Sequence, residues 1–160
     1  MKRLIRLTIV AAILLCSTIS ASAQSTVYVF MRSVDNAECK LNINGGDGID
    51  IRGPFKKAQM VPVAGASPLM RYHPGKKKIV LKEEGKTLFG VTYIYTNSLN
   101  GKQSTMAAEI QLNLSEGSVH YIKVEAKGLN DIQIKEVEGK EVQKLLKDKK
   151  YKELPDYIEQ

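Results

Sequence analysis

Apolar and polar residues alternate along much of this chain, and the alternation predicts short β-strands. It is clearest in residues 108–114, where apolar side chains at every second position are separated by Glu109, Gln111 and Asn113. A strand of this kind has one dry face and one wet face, which is typical of an antiparallel sheet. Further strands are predicted at residues 39–44, 49–52, 77–82, 87–95, 119–126 and 132–137.

Residues 26–31 depart from this alternation because they are apolar on both faces, which predicts a strand in the middle of a sheet. Glycine and proline separate the strands. Pro74 and Gly75 fit the two central positions of a type II turn. Gly117 predicts a hairpin turn between the strands on either side of it.

The hydrophobic period changes near the end of the chain. Val142, Leu145 and Leu146 lie at helical spacing among Lys and Glu residues, which predicts an amphipathic helix at about residues 140–149. Its apolar stripe is narrow and its other side is evenly charged, so we expect it to pack across an open end of the sheets rather than on a membrane. Pro155 limits any extension, and an irregular tail is predicted after the helix.

The first residues have the layout of a secretory signal peptide, which predicts export. A basic head precedes a mostly apolar run at residues 7–19, and the small residues 21–23 offer a cleavage site. Removing these 23 residues leaves 137 of the 160, and loss of Lys2, Arg3 and Arg6 lowers the net charge from +7 to +4. The mature chain is predicted to be periplasmic or secreted.

Three classes of protein are disfavoured for the mature chain. Lipoprotein processing needs small residues before the modified cysteine, whereas Leu14 and Leu15 precede Cys16. No later apolar run is long enough to cross a bilayer. The mild positive charge argues against nucleic acid as a partner.

The strands and the helix together predict an all-β fold. The favoured architecture is an antiparallel β-sandwich of the immunoglobulin or transthyretin type with one short C-terminal amphipathic helix. No repeat or low-complexity linker divides the chain, so residues 24–160 are predicted to form a single domain. A domain of this size buries about two-thirds of its unfolded surface, so it can fold without a metal or a disulfide.

The opening strand, one turn and the hairpin predicted around Gly117 resemble segments of a known family. The matching residues are 27–32, Pro74-Gly75-Lys76, 112–117 and 121–124, which look like parts of the DUF2846-like family of exported bacterial β-sandwich domains of unknown function. The resemblance implies a fold and an envelope location but no activity. From the residues alone, Tyr28 and Tyr121 are interpreted as rings at a sheet margin with hydrogen-bonded hydroxyls.

Cys39 is the one cysteine that remains after the signal peptide, so no internal disulfide can form. It shares a predicted strand face with Leu41 and Ile43. We therefore interpret Cys39 as a small buried hydrophobic residue rather than a nucleophile.

A glycine-rich segment, Gly45-Gly46-Asp47-Gly48-Ile49-Asp50, matches the start of a calcium-binding nonapeptide. The charged Arg52 follows it, and no second repeat supplies the remainder of the about six to eight oxygen ligands that calcium takes. The segment is predicted to be a hairpin loop, and no metal site is predicted.

The two histidines give no catalytic pattern. His73 and His120 are far apart, and zinc catalysis needs three protein ligands. The nearest approach to a nucleophile elbow, Gly65-Ala66-Ser67, lacks its second glycine. His120 has the strand parity of Ile122 and is interpreted as a hydrogen-bonded residue of the core or its rim. The chain is predicted not to be an enzyme, and no catalytic, cofactor-binding or metal residue is assigned.

Lysines cluster at residues 76–78 and around the predicted helix. Acidic residues are interleaved with both clusters, which predicts a solvated face rather than an anion-binding surface. The lysines of the second cluster are Lys144, Lys147, Lys149, Lys150 and Lys152.

These observations favour a non-catalytic module of the cell envelope, or a secreted one, that binds a protein or a glycan through a sheet edge or loops. The candidate contact regions are residues 53–68 and the polar loop at residues 96–104. Three prolines leave the first region only an edge strand near residues 59–63.

Two other functions stay open. Phe89, Tyr93 and Tyr95 share one strand face, which is compatible with a carrier of a small apolar ligand or lipid. A hydrolase would use His120 or His73, and its remaining groups would come from distant parts of the chain.

Overall fold

The computed structural model describes residues 24–34, 37–53, 72–82, 84–97, 100–126 and 131–160. These residues form two β-sheets and one short α-helix. The strands are β1 (Ser25–Val34), β2 (Ala37–Ile43), β3 (Ile49–Asp50), β4 (Tyr72–Leu81), β5 (Gly85–Thr96), β6 (Gln103–Leu114), β7 (Val119–Ala126), β8 (Ile132–Glu136), β9 (Lys152–Glu153) and β10 (Tyr157–Ile158), and the helix is α1 (Gly139–Lys147). The prediction of a mainly β fold with one short helix is confirmed.

The two sheets differ in strand direction. Sheet I has the order β10-β4-β1-β7-β8, with β9 also paired to β4, and sheet II has the order β3-β2-β5-β6. Sheet II is antiparallel. In sheet I, β1 is antiparallel to β4 but parallel to β7, and β9 and β10 are parallel to β4. The prediction of antiparallel layers is therefore wrong for sheet I.

The turn after β6 causes part of this difference. Gly117 has a φ of +69°, a conformation that glycine adopts without strain, so a turn is present as predicted. The chain then enters sheet I, where β7 pairs with β1 and β8. The N–H of Gly117 donates to the carbonyl of Gln24, and the N–H of Thr26 donates to the carbonyl of Ser118. The predicted hairpin is wrong, because β6 belongs to sheet II and β7 to sheet I, so the two strands do not pair.

One hydrophobic core contains residues of both sheets. Its members are alternate residues of the strands, as the sequence pattern predicted, and the largest of them are almost completely buried. The strand residues of this core are Val27, Val29, Met31, Ala37, Cys39, Leu41, Ile79, Leu81, Phe89, Val91, Tyr93, Leu112, Leu114, Ile122, Val124 and Ile132.

A second hydrophobic cluster explains why β1 is apolar on both faces. Phe30 has no exposed surface and packs with Val142 and Leu145 of α1. Its ring meets the ring of Tyr151 edge-on, with 5.4 Å between the centroids. Helix α1 therefore covers the outer face of sheet I, and the expectation that it packs across an open end is wrong. The central position of β1 is as predicted.

The segment after α1 is also more regular than predicted. It follows the edge of β4, where the N–H of Leu154 donates to the carbonyl of Lys76 and the N–H of Glu159 donates to that of Val80. Pro155 lies between β9 and β10 and separates the two short pairings. The predicted irregular tail is wrong because β4 offers an edge that this segment satisfies.

Pro74 and Gly75 lie inside β4, opposite Arg32 and Met31, so the predicted type II turn is wrong. Pro74 precedes Gly75, the first residue of β4 that pairs with β9. At Pro74 the strand has no described partner on that side, so its missing N–H does not interrupt a ladder there.

Several predictions fall on residues that the structure does not describe. They are the signal peptide at residues 1–23, the edge strand near residues 59–63 and Gly65-Ala66-Ser67. Within the described ranges, no helix has the length and apolar character needed to span a lipid bilayer.

An ion-pair network attaches α1 to sheet I. The ammonium of Lys123 lies 2.8 Å from Glu125 and 3.1 Å from Glu141, and Lys135 lies 3.3 Å from Glu141. Burial alone would lower the pKa of Lys123, but the hydrogen bonds to the two carboxylates outweigh it and the pKa is raised. The hydrogen bond from Lys123 holds the pKa of Glu141 below its ordinary value of 4.5.

We expect Glu141→Gln to remove part of the acid sensitivity of the fold. Because the pKa of Glu141 is lower in the folded state, its contribution is complete above about pH 4.5 and is lost as the pH falls through the folded pKa. Glu141→Gln should lower the Tm by about 1–3 °C at pH 7 and by less at pH 3. Thermal unfolding monitored by circular dichroism across this range measures the difference, and Glu116→Gln, in the exposed turn after β6, is the control. An equal Tm difference at both pH values would contradict the network's role.

Candidate functional site

The outer face of sheet I carries a cleft of about 400 Å³ beside α1. We call it the tyrosine cleft. It lies between the strands of the sheet, the helix and the segment after the helix. Its lining residues are Tyr28, Lys76, Lys78, Tyr121, Leu146, Glu153, Leu154 and Asp156.

Two stacked tyrosines form the aromatic part of this cleft. Tyr28 of β1 and Tyr121 of β7 are direct partners in the parallel pairing, so both side chains stand on the outer face. Their rings are nearly parallel, with 5.4 Å between centroids and 12° between planes. Neither hydroxyl has a hydrogen-bond partner among the described residues, and neither is sealed in the interior. The predicted position at a sheet margin is wrong, because β1 and β7 are inner strands of sheet I, and the predicted hydrogen bonds of the hydroxyls are not found among the described residues.

Charged side chains of both signs line the cleft. The ammonium of Lys76 lies 2.7 Å from a carboxylate oxygen of Glu153, and this pair fixes the segment after α1 to β4. The hydrogen bond from Lys76 lowers the pKa of Glu153, which therefore stays ionised at neutral pH. Lys78 and Asp156 take part in no ion pair or side-chain hydrogen bond with any described residue. The cleft thus holds one paired and one unpaired charge of each sign.

The lysine cluster at residues 76–78 divides between two environments. Lys76 and Lys78 stand beside Phe30 and Tyr28 on the outer face and line the tyrosine cleft. Lys77 has the opposite parity and is 9% exposed. The prediction of one solvated face is therefore wrong for Lys77, because strand alternation sends consecutive lysines to opposite faces.

A second cleft, of about 510 Å³, separates the glycine-rich loop from the segment after α1. The loop is a hairpin as predicted, since β2 and β3 pair on either side of it and Asn44 and Gly45 have positive φ. One carboxylate oxygen of Asp50 accepts the N–H of Arg52. Among the described residues, no three His, Cys, Asp or Glu side chains are grouped as metal ligands. The residues lining this cleft are Ile43, Gly46, Asp47, Gly48, Ile49, Tyr157 and Glu159.

His120 forms a chain of hydrogen bonds at the rim of the core. Its Nδ1 lies 2.6 Å from a carboxylate oxygen of Glu136, and its Nε2 lies 3.2 Å from the hydroxyl of Ser118. The Ser118 hydroxyl also accepts the N–H of Ser115. The interpretation of His120 as a hydrogen-bonded rim residue is confirmed, but its link to a serine and a carboxylate was not foreseen. His73 belongs to β4, and its side chain is not described.

Cys39 is 1% exposed and belongs to the shared core, which confirms its interpretation as a buried hydrophobic residue. Burial raises the pKa of its thiol far above the ordinary value. Because the thiolate is the reactive form, we expect no labelling by a disulfide reagent in the native protein and complete labelling in urea. The absorbance of the thiol that the reagent releases measures the extent of labelling. Rapid labelling of the native protein would contradict the buried position of Cys39.

The face proposed for an apolar ligand is filled by the protein itself. Phe89 and Tyr93 are at most 1% exposed in the core, and Tyr95 packs against it. None of these three residues lines either of the clefts described above.

The two predicted contact regions have different outcomes. Residues 54–68 are not described. The predicted loop at residues 96–104 is shorter, because β5 and β6 already pair between Thr96 and Gln103. The connection is closed by a hydrogen bond from the N–H of Asn97 to the carbonyl of Lys102.

The sequence interpretation missed the tyrosine cleft as a site, although it selected both tyrosines. The available signal was the strand parity of Tyr28, which places it beside Phe30 on a face that alternation leaves outside the main core. The partner strands and the segment after α1 are separated from it by about 50 to 130 residues, so their proximity follows only from the fold.

Comparisons with known proteins found no relative of this chain. No protein-family model matches it, and neither the curated proteins nor the solved structures gave a significant match.

Proposed function

We propose that this chain is a non-catalytic binding module of the cell envelope, or a secreted one, for a protein or glycan ligand. Its architecture in this proposal is a β-sandwich of the immunoglobulin or transthyretin type, and the segments that resemble DUF2846-like domains support an envelope location. The export signal read in the first 23 residues supports the same location.

The observation that carries the proposal is the tyrosine cleft. Ligand sites in proteins are concave, combine apolar walls with a few polar groups, and have volumes of roughly 300–1,000 Å³. The cleft of about 400 Å³ meets these criteria through its tyrosine rings, Leu146 and its charged side chains. Leu146 is 44% exposed although it lies on the apolar stripe of α1, so it offers surface that the fold itself does not cover.

Capture from a solubilised envelope fraction tests this proposal. Immobilised protein should retain a saturable ligand that the Tyr28→Ala variant does not retain, because that change removes half of the aromatic stack. Tyr157→Ala is the matched control, since Tyr157 is an exposed tyrosine that lines the other cleft. Treatment of the fraction with protease or with periodate identifies the ligand as a protein or a glycan. Equal retention by wild type and Tyr28→Ala would contradict the proposal.

A second candidate function is favoured by the hydrogen bonds of His120. In a Ser–His–acid hydrolase the imidazole accepts the serine proton at one nitrogen, while the carboxylate accepts the N–H of the other. Ser118, His120 and Glu136 have this connectivity. In such a reaction the Ser118 hydroxyl would attack an ester carbonyl and pass its proton to His120. The leaving alcohol would take up that proton, and water would hydrolyse the acyl group.

Activity-based labelling separates this candidate from a purely structural network. A fluorophosphonate probe should modify Ser118 in the wild type, and Ser118→Ala and His120→Gln should each lower labelling by about 100-fold or more. Ser115→Ala, in the same turn, should retain it. Absence of labelling, or labelling that does not require His120, would exclude a serine hydrolase.

A further inference from the structure

The unpaired groups of the tyrosine cleft define the chemistry of its ligand. Two tyrosine hydroxyls can donate or accept hydrogen bonds, the ammonium of Lys78 donates and the carboxylate of Asp156 accepts. The rings of Tyr28 and Tyr121 and the side chain of Leu146 add apolar surface beside these groups. A matching ligand has hydroxyl groups of both donor and acceptor character and a C–H face that can lie on an aromatic ring.

The charges of the cleft select against an anion or a cation. Lys76 is already neutralised by Glu153 at 2.7 Å, and the two unpaired charges of the cleft, those of Lys78 and Asp156, are of opposite sign. An anionic group such as a phosphate would approach two carboxylates, and a cationic group would approach two ammonium groups. A neutral ligand avoids both repulsions.

A purely apolar ligand and an extended peptide also fit poorly. An apolar ligand would take Lys78 and Asp156 out of water without replacing their hydrogen bonds, which is costly. An extended peptide is commonly recognised by adding a strand to an open sheet edge. The edge of β4 beside the cleft is already paired with β9 and β10.

We infer that the tyrosine cleft binds a neutral saccharide. One or two of its sugar rings lie against Tyr28 and Tyr121, and its hydroxyl groups form hydrogen bonds with Lys78 and Asp156. This inference rests on the proposed binding function and names the class of its ligand. The ion pair between Lys76 and Glu153 positions the wall of the cleft and does not contact the sugar in this arrangement.

Titration with neutral and charged disaccharides tests the inference. The neutral probes are diacetylchitobiose, cellobiose and maltose, and the charged probes are the deacetylated chitobiose and a hyaluronan disaccharide. Amide chemical shifts of the labelled full chain are recorded in each titration. At least one neutral probe should bind with a Kd of about 0.1–10 mM, whereas each charged probe should bind at least 5-fold more weakly.

Variants connect the binding to the cleft. Tyr28→Ala should weaken binding at least 10-fold, and Asp156→Asn should weaken it about 5-fold while leaving the Tm unchanged, because Asp156 is exposed. Tyr157→Ala should have no effect. If Tyr28→Ala does not fold, Asp156→Asn and Lys78→Ala decide the question.

Three results would overturn the saccharide assignment: no binding of any neutral probe, equal or tighter binding of a charged probe, or unchanged binding by Asp156→Asn and Lys78→Ala. The proposed function would survive if envelope capture remained dependent on Tyr28 and was sensitive to protease but not to periodate. If no neutral probe bound and envelope capture did not depend on Tyr28, the proposed function would be contradicted as well.

Discussion

Phe30→Ala should lower the free energy of unfolding by about 3–5 kcal/mol, which is the usual effect of removing a buried aromatic ring. Phe30 has no exposed surface, and its ring fills the space between sheet I and α1 against Val142, Leu145 and Tyr151. Its removal leaves a cavity and also loses the edge-on contact with Tyr151. Urea unfolding followed by far-ultraviolet circular dichroism measures the change.

Two controls make this result specific to the second hydrophobic cluster. Phe30→Leu keeps most of the volume and should cost about 1.5 kcal/mol or less. Leu146→Ala, on the same helix but 44% exposed, should change stability by about 0.5 kcal/mol. If α1 packed across an open end of the sheets, Phe30 would lie on a solvated face. A loss below about 1 kcal/mol in Phe30→Ala would therefore contradict the observed position of the helix.

Gly75→Ala should lower the free energy of unfolding by about 1–3 kcal/mol because the added methyl group meets main chain on the core side of β4. A Cβ at this position would lie 2.8 Å from the nitrogen of Gly53 and 3.0 Å from the carbonyl oxygen of Ile51. This main chain is fixed beside β2 by the hydrogen bond from the N–H of Ile51 to the carbonyl of Cys39, so it cannot move aside as a flexible side chain can. The same unfolding measurement reports the loss.

Gly90→Ala is the matched control for this prediction, since Gly90 is also a buried glycine within a strand. Its new Cβ would meet the side-chain oxygen of Asn42 at 2.5 Å, and that amide can rotate away. We expect a loss below about 1 kcal/mol for Gly90→Ala. Equal losses in the two variants would show that the segment at Gly53 yields as easily as the Asn42 side chain.

The turn predicted at Pro74-Gly75 shows where local chemistry misleads. The dipeptide is favourable in a type II turn, but Gly75 has no positive φ and instead lets the chain at Gly53 approach a strand. The Pro-Gly dipeptide is the same in a type II turn and in a strand that another segment approaches closely, so the local sequence does not separate the two cases. Only the position of Gly53, 22 residues earlier, distinguishes them.

The position of α1 shows a similar limit. The spacing of Val142, Leu145 and Leu146 predicted the helix almost to its observed bounds, Gly139–Lys147. It did not indicate which surface the stripe covers. The apolar outer residue Phe30 was visible in the sequence, but β1 was interpreted as central without assigning a cover to its second face.

The candidate site depends even more on distant contacts. Tyr28 and Tyr121 become neighbours through the parallel pairing of β1 with β7, and Lys76 meets Glu153 across 77 residues. The chain of hydrogen bonds at His120 is closer in sequence, yet Glu136 reaches it only because β8 folds back on β7.

The sequence by itself determined the strands from β1 to β8, most of their inward residues, the burial of Cys39 and the presence of the helix, because alternation and helical spacing are properties of adjacent residues. The tertiary structure alone decided the parallel pairing of β1 with β7, the pairing of the β4 edge with β9 and β10, the position of α1 on sheet I, and the tyrosine cleft. These features require contacts between residues far apart in the chain. The spacing of apolar residues within one segment does not specify which distant segment it will contact.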